Sequence, residues 1–286
     1  MIIGRIIKGV GGLYFVATDK EIYKCKARGI FRKNKLTPTV GDFVEISDLS
    51  DNEGAIERIL PRKNLLIRPR VANIDCAVIT FAITSPAINL DLLDRFIVLA
   101  EYNNIENIII CINKMDLDNG QSDEIRTVYE PLYKVVTASA ADEKNIDKLS
   151  ELLKNKVSVL AGPSGVGKSS LINALVPHSK QQTGEISRKI ERGKHTTRQV
   201  ELLEAGENTY IMDSPGFTSL GLDFLEPEQL QFYFKEFKPY IGKCRFNDCQ
   251  HIMEPDCAVK ERIGIDISRD RYDRFVYLYN ELKQRR

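Results

Sequence analysis

The sequence predicts an α/β chain in three parts: an N-terminal β-barrel, a central mostly parallel sheet covered by helices, and a C-terminal mainly helical unit built around a metal. Three observations carry this. Short β-like runs with Gly-rich turns fill residues 1–68, apolar strands alternate with helical segments over 69–222, and a Cys/His cluster interrupts the helical remainder, 223–286. The 286 residues are enough for two or three domains, each with its own core, and 43% apolar with 28% charged residues is ordinary for a globular chain. No apolar run reaches the ~20 residues that span a bilayer, and "MIIGRIIKGVGG" lacks a signal-peptide layout. The expectation is a cytoplasmic chain, monomeric by default, with no membrane partner.

The first part reads as five or so strands, in "GRIIKGVGGLYFVAT", "EIYKCKARGI", "GDFVEISD" and "EGAIERIL", with an OB-fold as the leading candidate. Lys24, Lys26, Arg28, Arg32, Lys33 and Lys35 fall on one strand and the loop after it, where such barrels present an RNA-binding surface. Residues 1–70 carry 14 Lys/Arg against 8 Asp/Glu, and residues 71–156 carry 8 against 14, although the whole chain is only +1. That asymmetry fits a localised polyanion contact, or else a plain solvated face. "PRKNLLIRPR" (61–70) reads as a basic linker.

In the central part "NIDCAVITFAI" is a strand buried on both faces, and "LDLLDRFIVLAEYNN" has helical spacing. Strands "NIIICIN" and "YKVVTAS", a short helix near 145–154, strand "VSVLAG", helix "SSLINALV" and strand "NTYIMD" follow.

Between the last two strands' ends lie the phosphate motifs. Gly162, Pro163, Ser164, Gly165, Val166, Gly167, Lys168 and Ser169 fit G-x-x-x-x-G-K-[ST], after a strand and before a helix that continues with Ser170. Backbone N–H groups there turn toward a phosphate and the helix N-terminus adds a favourable dipole. Lys168 is assigned to the β/γ-phosphates and Ser169 to Mg²⁺. "DSPG" supplies D-x-x-G, with Asp213 on the magnesium water shell and the Gly216 N–H facing the γ-phosphate. The polar stretch 178–199 stands where a switch I belongs. "KHTTR" offers Thr196 and Thr197 for magnesium, Thr197 being favoured. Phe217 replaces the Gln that orients water in many GTPases, so His195 becomes the candidate to position water, with a surface His of no catalytic role as the alternative.

"CINKMD" supplies the base loop. Asp116 can accept from guanine N1–H and the 2-amino group, which adenine does not offer in that arrangement, while Asn113 and Lys114 brace the loop and the base. Ser139 and Ala140, in "TASA", end the next strand as a second base loop. The base loops precede the phosphate loop, with Asn113 standing 49 positions before Gly162. Cutting a G domain between its two halves and joining the old termini produces this order, so the centre reads as a circularly permuted P-loop G domain.

Cys244-x₄-Cys249-x-His251-x₅-Cys257 offers three thiolates and one imidazole, a closed set typical of structural zinc, although another thiophilic metal suits it too. Cys25, Cys76 and Cys111 read as buried free thiols.

With "NKMD", "GPSGVGKSSLIN", "GKHTTR", "DSPGF" and the Cys₃His set in place, the whole chain resembles the ribosome small-subunit-dependent GTPase A family. The resemblance implies an OB barrel, a permuted G domain and a zinc module. It also implies Mg²⁺-dependent hydrolysis of GTP to GDP, stimulated by the small (30S) subunit, 16S rRNA as partner, a role late in subunit maturation, and His195 as the switch I histidine. Two rivals stand beside it: a P-loop ATPase or kinase acting on RNA, and a zinc-dependent RNA-binding module that senses GTP without turnover.

Overall fold

The structure, a computed structural model, describes the chain except for residues 30, 32–35, 68, 119, 177–199, 214–220 and 286, and except for the side chains of 50 and 213. Strands β1 (Ile2–Val10), β2 (Leu13–Ala17), β3 (Ile22–Ala27), β4 (Phe43–Ser50) and β5 (Glu53–Ile59) close into a barrel in the order β1-β2-β3-β5-β4, with β4 returning to β1. Only the β3–β5 contact is parallel. Period-2 burial makes the barrel: along β3, Tyr23 and Cys25 point inward while Ile22, Lys24 and Lys26 point to solvent. Ile6, Val16, Val44, Ile46 and Ile56 fill the interior.

The stretch expected to be a linker is structured. β6 (Leu65–Ile67) and β7 (Arg70–Ala72) form a hairpin whose Leu66 and Val71 are buried, and Arg62 grips the buried Asp42 with two bonds of 2.6 and 2.8 Å. The basic residues that suggested a basic linker are thus partly consumed in docking the hairpin, Arg62 on Asp42.

The central sheet runs β10 (Lys134–Thr137), β9 (Asn107–Asn113), β8 (Cys76–Ala82), β11 (Val157–Ala161), β13 (Thr209–Asp213), β12 (Glu201–Gly206). All neighbours are parallel except the β12–β13 hairpin, whose first strand the sequence analysis does not anticipate. Helices α1 (Leu90–Tyr102), α2 (Gln121–Tyr129), α3 (Ile146–Leu153) and α4 (Lys168–Leu175) cover it. β12 also meets β1 of the barrel, where Lys8 and Glu201 pair at 3.0 Å. Burial pushes the thiols of Cys76 and Cys111 up to about 12, so both stay protonated in the sheet.

The C-terminal part is helical, mostly as short 3₁₀ turns (Pro227–Tyr233, Lys235–Phe237, Lys260–Arg262) and one long helix, α5 (Arg269–Gln284). Its own core of Leu230, Phe234, Phe237, Phe275 and Leu278 also takes in Val98 of α1. No described helix is long and apolar enough to cross a membrane.

Candidate nucleotide site and metal centre

Counted from β11, the strand before the phosphate loop, the sheet order is 2-3-1-4-5-6, although the chain enters it at position four. The order reverses between β11 and β8. In such sheets ligands bind in the crevice beyond the carboxyl ends of the strands at this point. The phosphate loop leaves β11 there, and the two base loops leave β9 and β10 on the same side.

The phosphate loop fits because two of its glycines have no room for a side chain. Gly162 (φ +141) brings the chain so close to β8 that a Cβ would lie 2.0 Å from the Thr80 carbonyl oxygen. Gly167 (φ +90) caps α4, and a Cβ there would lie 2.4 Å from Asn113 Nδ2. At the start of α4, Lys168 Nζ donates to the carbonyls of Gly162 (2.8 Å) and Pro163 (2.6 Å), and partial burial lowers its pKa. Ser169 and Ser170 stand exposed on the first turn, so a hydroxyl is available there to a hard cation. Ser164 and Gly165 line the exposed crest of the loop, and Val166 is buried beneath it.

Asn113 ties the three loops together. It is 1% exposed, its Nδ2 donates to the Val166 carbonyl (2.9 Å), and its Oδ1 accepts from the Ala140 N–H (3.2 Å). Asp116 is held by the Ser139 hydroxyl, which donates to its Oδ1 at 2.7 Å, and Met115 N donates to the Ala138 carbonyl at 3.1 Å. Lys114, in a left-handed conformation (φ 62), sends its ammonium to the Ser85 carbonyl in the loop before α1.

Cys244, Cys249, His251 and Cys257 also converge, with all four donor atoms within 4.8 Å of one another. His251 Nδ1 lies 3.6, 3.4 and 3.3 Å from the sulfurs of Cys244, Cys249 and Cys257, and Cys244 and Cys257 are 3.9 Å apart. Zinc–ligand lengths imply tetrahedral edges of about 3.6 Å from nitrogen to sulfur and about 3.8 Å between sulfurs. The set therefore fits zinc. Burial pushes the Cys249 thiol up to about 12, raises Cys257 and lowers His251, so the thiols need a cation to displace their protons. His251 Nε2 donates to Gln231 Oε1 at 2.8 Å, which fixes Nδ1 as the ligating nitrogen. No motif flagged Gln231, because its partner lies 20 residues away.

The RsgA GTPase model matches residues 59–223 and the RsgA N-terminal domain model matches residues 3–56. The chain belongs to the RsgA GTPase family. It is 46% identical to the "Small ribosomal subunit biogenesis GTPase RsgA" of Alkaliphilus metalliredigens, over 99% of this chain and 98% of the relative, and 48% identical to that of Caldanaerobacter subterraneus, over 99% and 96%. Among solved structures it is similar to YjeQ from Thermotoga maritima (TM-score 0.88, 37% identity, 100% and 99% covered) and to YloQ, described as a circularly permuted GTPase (0.84, 36%, 100% and 96%).

In this RsgA family member, several sequence-predicted residues lie outside the described ones: Arg32, Lys33, Lys35, His195, Thr196, Thr197, Gly216, Phe217 and the Asp213 side chain. The Asp213 backbone ends β13 beside β11, which puts that position next to the phosphate loop. On the barrel, Lys24 and Lys26 are exposed on β3, with Lys24 opposite Phe15 of β2, while Arg28 pairs with Glu57 at 2.7 Å.

Proposed function

We infer that the protein hydrolyses GTP to GDP and phosphate with Mg²⁺ and acts in biogenesis of the small ribosomal subunit. The observation that carries this is Asn113, one side chain bonded to both the phosphate loop and the second base loop. It makes a single nucleotide site of motifs that stand in permuted order. Asp116 reads the guanine edge, Ser139 holds that carboxylate, and Ala140 and Lys114 complete the base pocket. Residues 162–170 wrap the phosphates, with Lys168 on the β/γ-phosphates, and Ser169 with Thr197 would hold a magnesium ion, which would supply neutralising charge at the phosphates. Asp213 and Gly216 sense the γ-phosphate, and His195 positions the attacking water.

The same reading makes 1–68 an RNA-binding OB barrel, 69–222 the G domain and 223–286 a zinc module, in a cytoplasmic monomer that contacts 16S rRNA late in maturation. Turnover is slow alone and faster on the 30S subunit. Steady-state GTP hydrolysis with and without purified 30S subunits tests this, and absence of stimulation would leave only a GTP sensor. Asp116→Asn is expected to move preference from GTP to XTP; unchanged preference removes Asp116 from the base site.

A further inference from the structure

A buried ion network joins the metal module to α1 and α2, the helices before and after the first base loop. Asp94 of α1 is fully buried and accepts three hydrogen bonds: from Arg271 Nη1 (2.5 Å), Arg274 Nε (2.6 Å) and the Tyr129 hydroxyl (2.7 Å). Tyr129 ends α2, and both arginines belong to α5. Arg271, 1% exposed, also holds Glu236 with bonds of 2.5 and 3.1 Å, and its guanidinium lies over the rings of Tyr129 (5.2 Å) and Phe234 (4.9 Å). Removing one member of such a network leaves a charge uncompensated away from water, so the helices are held in one mutual arrangement.

Both ends of this network lead to chemistry. Next to Arg271, the Tyr272 hydroxyl donates to the carbonyl of the metal ligand His251 at 2.7 Å. On the other side, α1 is preceded by the loop whose Ser85 carbonyl holds Lys114, and a Cβ on Gly165 of the phosphate loop would meet Pro86 of that loop at 3.7 Å. α2 follows Asn113–Asp116 directly, after one 3₁₀ turn. Asp94 is therefore the point where the loop before α1, the first base loop and the metal module are fixed relative to one another.

We propose that Asp94 is a positioning residue for guanine-nucleotide binding, and that through it the metal module sets how tightly the nucleotide is held. This rests on the base-site reading given above. By reciprocity, a partner that shifts the module changes nucleotide affinity, and bound nucleotide changes the module's affinity for that partner. The coupling acts on retention of nucleotide and not on the hydrolytic step.

The test uses the full-length, zinc-loaded protein and the release rate of fluorescent GDP. Asp94→Asn removes the charge, and Tyr129→Phe removes only the hydroxyl that ties α2 to Asp94. Both are expected to release GDP faster, Asp94→Asn on the order of tenfold, and to raise KM for GTP with kcat within about twofold. Ile56→Val in the barrel core controls for general loosening and is expected to release GDP at the wild-type rate. If Asp94→Asn does not fold, Tyr129→Phe and Arg274→Lys carry the test. Wild-type release from folded, zinc-loaded variants overturns the proposal, as does equal acceleration by Ile56→Val. Failure of the underlying base-site reading looks different: the wild-type protein itself would then show no preference for guanine over adenine nucleotides.

Discussion

Gly167 stands where three loops meet, and its missing side chain is what lets them meet. A methyl group there would lie 2.4 Å from Asn113 Nδ2, and the backbone at φ +90 is one that L-residues rarely adopt. Gly167→Ala therefore combines left-handed strain of about 1–2 kcal/mol with displacement of the Asn113 brace. Affinity for GTP is expected to fall by about 10- to 100-fold, measured by titration with a fluorescent analogue, while zinc content stays the same. Undiminished affinity would show that the brace does not shape the site. The sequence made Asn113 visible as part of N-K-x-D but not its task. A motif describes residues facing a ligand, whereas Asn113 spends both ends of its amide on Val166 and Ala140, 53 and 27 positions away.

At the scale of elements, the 227–241 run shows what local reading captures and what it leaves out. Its helical character is legible, and the buried residues Pro227, Leu230, Phe234 and Phe237 recur at intervals of three, four and three, the spacing of an α-helical face, yet the structure winds the run as 3₁₀ turns. The run packs on α5 through its aromatic rings, Phe234–Phe275 at 5.1 Å and Phe237–Phe275 at 4.8 Å, contacts that no local pattern announces. β12 escaped notice for a related reason. "ELLEAG" does not alternate cleanly, and the strand is sustained by its hairpin partner β13 on one side and by β1 of the barrel, at Glu201, on the other. The same 3₁₀ segment supplies Gln231, whose Oε1 accepts the hydrogen bond from His251 Nε2. Gln231→Ala leaves that N–H buried and unpaired, and metal affinity is expected to drop about 10- to 100-fold. Competition with a chromophoric chelator measures it. Equal affinity in mutant and wild type would show that His251 is oriented by Phe237 and its own backbone alone.

For the whole molecule, permutation alters which parts are chain neighbours without altering the sheet. The order of strands is that of an uninterrupted mononucleotide fold, and the cut places the end of the D-x-x-G segment next to the metal module. Leu222 and Leu225, just beyond that segment, are buried in the module's core with Val98. The three-part architecture was legible because each part has its own period and its own chemistry. The joints were not, since β1–β12 pairing and the docking of α5 on α1 depend on contacts between residues up to 193 positions apart.

The barrel stands at the opposite edge of the assembled sheet from β10, with Lys24 and Lys26 exposed on β3 and Phe15 alongside. Basic side chains around an aromatic ring suit a single-stranded or looped polyanion, and such contacts release counterions. Replacing Lys24 and Lys26 together by alanine is expected to weaken binding to 30S subunits most at low salt and to flatten the salt dependence. The slope of log affinity against log salt should lose about 0.7 for each phosphate contact removed. Intrinsic GTP hydrolysis should stay unchanged, because the lysines lie on the far side of β1 from the nucleotide loops. Binding measured over a series of potassium concentrations decides it: an unaltered slope would mean that these lysines are only a solvated face, and that the excess positive charge of residues 1–70 acts elsewhere on the barrel.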